Sequence, residues 1–260
     1  MKIAVILPAA GESARFGTKD KLAEDIGGRP LLLRTVEFFT KRADVTQIIV
    51  VGPQNSMDAF HDRFGPALAF HGVSIDTGGA SRTDSVQNTL DAISPECDRI
   101  VVHDAARPAI TNKLFDRVLL ASKEFSAVAA ALPIQGTIKR VNQAPSTVVD
   151  NDAIADSILG NASKASVEGF KIIETIDRKG MWEMQTPQCF HKAVFQKAYS
   201  ADGISYCTDD AQVVEKLGEP VHVVAGDSRN IKVTSPADLQ LIRAILGVKG
   251  APESPAYKRL

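Results

Sequence analysis

The chain has almost no net charge: 30 Lys and Arg stand against 31 Asp and Glu, a formal −1. Without a global field of either sign, nonspecific attraction to nucleic acid is disfavoured, and any anionic ligand has to be gripped by a local group of basic residues. Cysteine is scarce. Cys97, Cys189 and Cys207 are odd in number and form no C-x-x-C pair, which argues against a disulfide framework or a structural zinc site and fits a reducing cytoplasm. Long apolar runs are missing as well. The longest near the start is 3–7, far short of the roughly 20 residues of a membrane span, and no basic segment precedes it as in a secretion signal. What is there is 260 residues, 44% apolar and 23% charged, enough to bury one sizeable core.

Short apolar runs alternate with longer amphipathic segments through the first half, at the spacing of strands returning through helices into a parallel sheet. Strands are expected at 3–8, 47–51, 73–76, 99–103 and 127–132, with helices at 30–41, 54–64, 81–93 and 112–123. From Thr137 the rhythm breaks. Two strands at 137–142 and 171–176 flank a segment rich in Ala, Ser, Asn and Asp, an excursion from the core. The α/β pattern resumes with helices at 192–201, 209–217 and 236–246 and strands at 221–224 and 231–233, and a tail at 249–260 reads as frayed. The expectation is one α/β domain over 1–248, doubly wound, with an arm at about 137–177. Ligands in such sheets gather beyond the carboxyl ends of the strands.

Three segments at those ends carry unusual residues. PAAGESARFG follows the first strand, with Lys21 four residues on. Small residues and Gly11 let loop amides approach a phosphate, with Arg15 and Lys21 as cations. Gly11 and Gly17 lie six apart and Thr18 follows, so this is neither the dinucleotide nor the P-loop pattern. TGGASRTDSV (77–86) crowds Ser81, Arg82, Asp84 and Ser85 at a helix start, where they either recognise a base edge or cap the helix. VVHDAARPAI (101–110) ends the fourth strand on Asp104, which either ligates magnesium beside a phosphate cradle or pairs with Arg107. His103 reads as a packed strand residue. Further on, Arg178, Thr186, Lys232 and Thr234 offer charge and hydroxyls to a phosphorylated substrate. Cys189 has no His and acid at interpretable spacing and is not read as a nucleophile.

Taken in order, PAAG with Arg15 and Lys21, TGGASRTDSV, VHDAARP, TIDRKGMWEMQTPQ, TDDA and NIKVTSPADL resemble the 2-C-methyl-D-erythritol 4-phosphate cytidylyltransferase family over about residues 3–246. The resemblance implies a Rossmann-like, mostly parallel sheet with a protruding β-arm for dimerisation. It also implies magnesium-dependent transfer of CMP from CTP to methylerythritol 4-phosphate, releasing pyrophosphate. Arg15 and Lys21 match the basic pair that holds the triphosphate and stabilises charge growing on the α-phosphate. Ala9, Ala10 and Gly11 line the nucleotide loop, Gly79, Ala80 and Ser85 sit against cytosine, and Ala105 lies near the ribose. Lys232 counts with these nucleotide contacts and, with Asp104, Arg107 and Thr186, lies around the acceptor. Thr208 and Thr234 add further substrate contacts. Thr137 and Arg178 match arm residues that reach the substrate of a neighbouring subunit, which implies a homodimer with shared sites.

The chain departs from the family pattern in three places. Ala80 stands where Asp often follows Gly-Gly, Asp20 replaces a Pro before Lys21 and makes Lys19 a rival, and the arm is about twenty residues longer than expected over 142–174. The rival readings are a ribitol 5-phosphate cytidylyltransferase and a silent nucleotide-binding regulator. DAARP and PAAG favour the methylerythritol substrate, and a mere binder would not need both triphosphate and acceptor clamps. A fused cyclase domain is not expected, since few residues follow the match.

Overall fold

The structure, a computed structural model, describes residues 1–11, 16, 20–149 and 166–249. Its contacts divide the chain into two compact units, Met1–Leu132 with Met184–Leu260, and Pro133–Glu183. In chain order the strands are β1 (Ile3–Pro8), β2 (Val45–Gly52), β3 (Ser74–Thr77), β4 (Arg99–Val102), β5 (Ala127–Pro133), β6 (Ile138–Val141), β7 (Ser146–Val149), β8 (Ser166–Gly169), β9 (Ile172–Ile176), β10 (Trp182–His191) and β11 (His222–Ala225). The α-helices are α1 (Leu31–Thr40), α2 (Met57–Phe70), α3 (Arg82–Gln87), α4 (Asn112–Ala121), α5 (Lys192–Tyr199), α6 (Asp210–Lys216) and α7 (Pro236–Ile245).

The first unit is organised by a sheet of order β11-β5-β10-β4-β1-β2-β3. β1 pairs in parallel with both β2 and β4, β2 with β3 and β11 with β5, whereas β10 runs antiparallel to β4. Successive residues of β1 serve opposite faces, as the period of a strand requires. Ile3, Val5 and Leu7 join a core with α1, α2, α4 and α7, while Ala4 and Ile6 join a second core with α3, α5 and α6. Helices therefore cover both faces, as expected of a doubly wound sheet. Phe39 of α1 is fully buried, with its ring edge-on to Phe115 at 5.5 Å and to His103 at 5.3 Å.

The expected elements of the first half are found, although α2, expected over 54–64, starts at Met57 and runs on to Phe70, and three further differences have physical causes. The helix expected over 81–93 stops at Gln87, where the Thr89 hydroxyl bonds to the Val86 carbonyl at 2.7 Å and competes with the helical ladder. A separate 3-10 turn, Leu90–Ala92, follows. No strand forms at 231–233: the Val233 amide donates instead to the Ala106 carbonyl at 2.8 Å, against the loop after β4. β10 is an unexpected central strand, and its run from Gln185 to Phe190 is wholly buried.

In the second unit, the strands expected at 137–142 and 171–176 are β6 and β9, paired antiparallel. Within the segment 142–174, β7 and β8 form a second two-stranded ribbon. Residues 150–165 of that segment and the tail beyond 249 lie outside the described residues. Among the described residues, no helix is long and apolar enough to cross a membrane.

Candidate active site

The carboxyl ends of β1, β2, β3 and β4 open onto a cleft of about 450 Å³. Its floor is fixed by backbone bonds between strand ends: Ala9 donates to the Val51 carbonyl at 2.9 Å and Gly78 to the Gly52 carbonyl at 2.8 Å. Glycine is needed at the turn after β3, because a Cβ on Gly78 would lie 2.7 Å from the Gly52 oxygen and one on Gly79 would lie 2.5 Å from the Asp84 Cβ. α3 then starts on a capping box between Ser81 and Asp84. Inside that turn the Ser85 hydroxyl donates to the Ser81 carbonyl at 2.7 Å and accepts from the Gly79 amide at 3.0 Å. Its proton is committed, and only a lone pair remains to face the cleft.

Ala9, Ala10, Gly11, Lys21, Gly79, Ala80, Ser85, Asp104, Ala105 and Lys232, all named from the sequence, line this cleft together. Lys21 rides on a 3-10 turn that Asp20 organises. One Asp20 carboxylate oxygen accepts from the Leu22 amide at 2.9 Å, and the other pairs with Arg63 of α2 at 2.8 Å. The acidic residue in place of Pro thus caps the turn that presents Lys21. Arg15 and its neighbour Lys19 lie outside the described residues.

A second cleft, of about 410 Å³, adjoins the first through Arg82, Asp104 and Lys232, which line both. It brings together Arg107, Thr186 and Thr208. Thr234 lines neither cleft: its hydroxyl donates to Asp238 at 2.8 Å beside the start of α7. Thr137 and Arg178 are exposed residues of the second unit.

Asp104 sits where the clefts meet and is almost completely buried. One oxygen accepts from Arg107 Nε at 2.9 Å, and the other lies 3.2 Å from Lys232 Nζ and 4.0 Å from Arg82 Nε. Burial pushes its carboxyl up, but Lys232, Arg107 and Arg82 outweigh this and hold it well below the usual carboxylate range. This corrects the metal role considered for Asp104, because both oxygens are already engaged by cations. Among the described residues no cluster of three or more His, Cys, Asp or Glu side chains could hold a metal. A protein-held magnesium site does not fit this geometry.

Behind Asp104 lies a buried polar layer. The Asp104 amide donates to Thr186 Oγ1 at 2.9 Å, and that oxygen lies 3.1 Å from His103 Nδ1. His103 Nε2 is 3.1 Å from the Arg107 carbonyl, Arg107 Nη1 donates to the Asn230 carbonyl at 2.8 Å, and Asn230 Nδ2 donates to the Thr186 carbonyl at 2.7 Å. Burial lowers the His103 pKa to about 4, so its ring is neutral at pH 7. Cys189 is fully buried, which pushes its thiol up to about 11 and leaves it inert, as its sequence context suggests.

Arg82, which the sequence offers only as a base-reading or capping group at a helix start, lines both clefts and reaches Asp210 at 2.6 Å; although burial opposes its charge, Asp210 holds its pKa above the ordinary value. Sequence reasoning missed other residues of the clefts. Gln54, Asn55 and Ser56, beyond the end of β2, line the first cleft. In the second, Gln188 ties β10 to the start of α6, donating to Asp209 at 2.8 Å and accepting from the Ala211 amide at 2.9 Å. A polar residue inside a buried strand is the signal that could have found it.

A doubly wound sheet whose carboxyl edge carries a glycine-lined, lysine-flanked cleft defines a nucleotide-binding α/β protein. A family model for 2-C-methyl-D-erythritol 4-phosphate cytidylyltransferase matches residues 3–155 and 146–248. The chain belongs to this family. A relative in Frankia casuarinae named 2-C-methyl-D-erythritol 4-phosphate cytidylyltransferase is 36% identical over 247 residues, covering 94% of this chain and 81% of that protein. A second, the bifunctional enzyme IspD/IspF of Desulfotalea psychrophila, is 32% identical over 96% of this chain, which spans only 58% of that longer protein. A crystal structure of 2-C-methyl-D-erythritol 4-phosphate cytidylyltransferase from Thermus thermophilus superposes with a TM-score of 0.67 at 28% identity, over 95% of this chain and all of that one.

Proposed function

We propose that the chain transfers CMP from CTP to 2-C-methyl-D-erythritol 4-phosphate, giving 4-CDP-2-C-methyl-D-erythritol and pyrophosphate. The observation that carries this reading is the pair of clefts meeting at Asp104, one glycine-lined and flanked by Lys21, the other lined by Arg107, Thr186 and Thr208. The first takes the nucleotide and the second the acceptor. A phosphate monoester oxygen attacks the α-phosphorus and pyrophosphate leaves. The nucleophile is already an anion, so positioning and charge neutralisation matter more than a general base. Lys21, with Arg15, supplies that neutralisation. Magnesium belongs to this reading as the counter-ion of the triphosphate, with phosphate oxygens and not Asp104 as its ligands.

Cytosine selection rests on Ser85. With its proton given to the Ser81 carbonyl, the hydroxyl accepts from the cytosine amino group and repels the carbonyl that uracil presents there. Ala80 adds no side-chain contact, so at that position recognition falls to the backbone. The homodimer is part of the same reading. Val167, Phe170, Ile172, Ile173 and Trp182 of the second unit are exposed in the single chain, apolar side chains suited to burial against another copy that brings Thr137 and Arg178 to a shared site. The neutral charge balance and reduced cysteines agree with a cytoplasmic enzyme.

The deciding experiment is pyrophosphate release from CTP, comparing methylerythritol 4-phosphate with ribitol 5-phosphate, and UTP with CTP. Preference for methylerythritol 4-phosphate supports the assignment, preference for ribitol 5-phosphate moves the acceptor, and release with neither leaves a nucleotide binder.

A further inference from the structure

His103 and Asn230 are fully buried and line neither cleft. Their bonds nevertheless fix the chemistry of a residue that does. The Arg107 carbonyl can only accept, so the His103 Nε2 facing it at 3.1 Å carries the ring proton. A neutral ring protonated at Nε2 has a bare lone pair on Nδ1. The group facing that lone pair at 3.1 Å is the Thr186 hydroxyl, which must therefore donate its single proton to it. The same oxygen already accepts from the Asp104 amide. One lone pair and no proton remain for the second cleft.

We propose that His103 is a positioning residue that fixes the Thr186 hydroxyl as a hydrogen-bond acceptor, so that Thr186 accepts a hydrogen bond from a hydroxyl of the acceptor substrate and does not donate to its phosphate. The phosphate is left to the cations that line the same cleft, Arg82, Arg107 and Lys232. Asn230 supports the arrangement from the other side. Its side-chain amide holds the Thr186 carbonyl, so the Thr186 backbone cannot rotate without breaking that bond, and its own carbonyl holds Arg107 of the same cleft. The substrate half of this inference rests on the polyol phosphate reading above, whereas the proton placement does not.

Two measurements test it. Nitrogen-15 NMR of the histidine rings in the intact protein at pH 7, assigned with His103→Asn, should show His103 neutral and protonated at Nε2. Protonation at Nδ1, or at both nitrogens, overturns the proposal whatever the protein catalyses. In steady-state kinetics, Thr186→Val should raise KM for the polyol phosphate by about tenfold, the loss of one hydrogen bond, with KM for CTP unchanged. Thr186→Ser should restore it. His103→Leu should raise the same KM, with His103→Asn, whose side-chain oxygen can replace Nδ1 as acceptor, recovering part of the loss. A folded His103→Leu with unaltered KM for the acceptor overturns the positioning role. If no polyol phosphate is turned over by the wild type while the ring shows the expected tautomer, the functional reading fails and the proton placement stands.

Discussion

Acid should destabilise this protein through His103 before its depressed carboxylates are titrated. The ring is fully buried and its pKa is lowered to about 4, against 6.5 for an exposed histidine, chiefly by burial. The sign follows from where the proton goes. Between pH 6.5 and pH 4 the unfolded chain takes up a proton that the folded chain refuses, so stability falls as pH falls across that window. At pH 4.5 the loss from this one group amounts to about 2.5 kcal/mol relative to pH 7, a large part of a typical domain's stability of about 5–15 kcal/mol. Depressed carboxylates such as Asp104, Asp44 and Asp238 act in the same direction, but as pH falls through their own lower folded values. Urea unfolding at pH 7 and pH 4.5, for wild type and His103→Asn, separates the contributions. The variant is destabilised at pH 7 by its imperfect replacement of two hydrogen bonds, but its further loss on acidification should be smaller than the wild type's by about 2.5 kcal/mol. Parallel losses in the two proteins would refute the assignment of the acid sensitivity to His103.

Lys21→Ala should lower pyrophosphate release by at least about 10²-fold without shifting the melting temperature, since the side chain is only partly buried at the cleft. Gly79→Ala should raise KM for CTP about tenfold or more, because the added Cβ meets Asp84 at 2.5 Å and forces the turn outward; an unchanged KM would show that the turn plays no part in nucleotide binding. Asp104→Asn removes the anion that faces all three of Arg107, Lys232 and Arg82, and urea denaturation should register a loss of about 3–5 kcal/mol. If sites are shared across a dimer, mixing Lys21→Ala and Arg178→Ala subunits should recover about a quarter of wild-type activity, because half the random dimers carry one intact site. No recovery would place both residues in the same subunit's site.

The strands that could be read from the sequence are those whose burial is written in apolar residues. β1, with IAVILP, and β2, with its run of Ile and Val, have no alternative reading. β10 is equally buried and was illegible, because its central residues are Gln185, Thr186, Pro187 and Gln188. Hydropathy registers polarity and cannot see the partner that satisfies it. Here the partners are the backbone of Asp227 for Gln185, Asp209 and the Ala211 amide for Gln188, and the Asp104 amide with His103 for Thr186. The strand expected at 231–233 failed for the opposite reason: its apolar residues pack beside β4's loop without joining the sheet. His103 was legible as packed, but the direction of its proton depends on a carbonyl four residues away and emerges only in three dimensions.

These failures cluster in space. β10, His103, Asp104, Arg82 and Asn230 all break the patterning that the rest of the fold obeys, and all contribute to one buried polar layer at the carboxyl edge of the sheet. Three cations, Arg82, Arg107 and Lys232, face Asp104 in that layer, and Asp210 pairs with Arg82 behind it. An apolar core of the same volume would be as stable or more so, since desolvating ions opposes their mutual attraction. Stability alone therefore does not account for such a layer, whereas an anionic substrate does: its phosphate meets cations already held in place at the cleft.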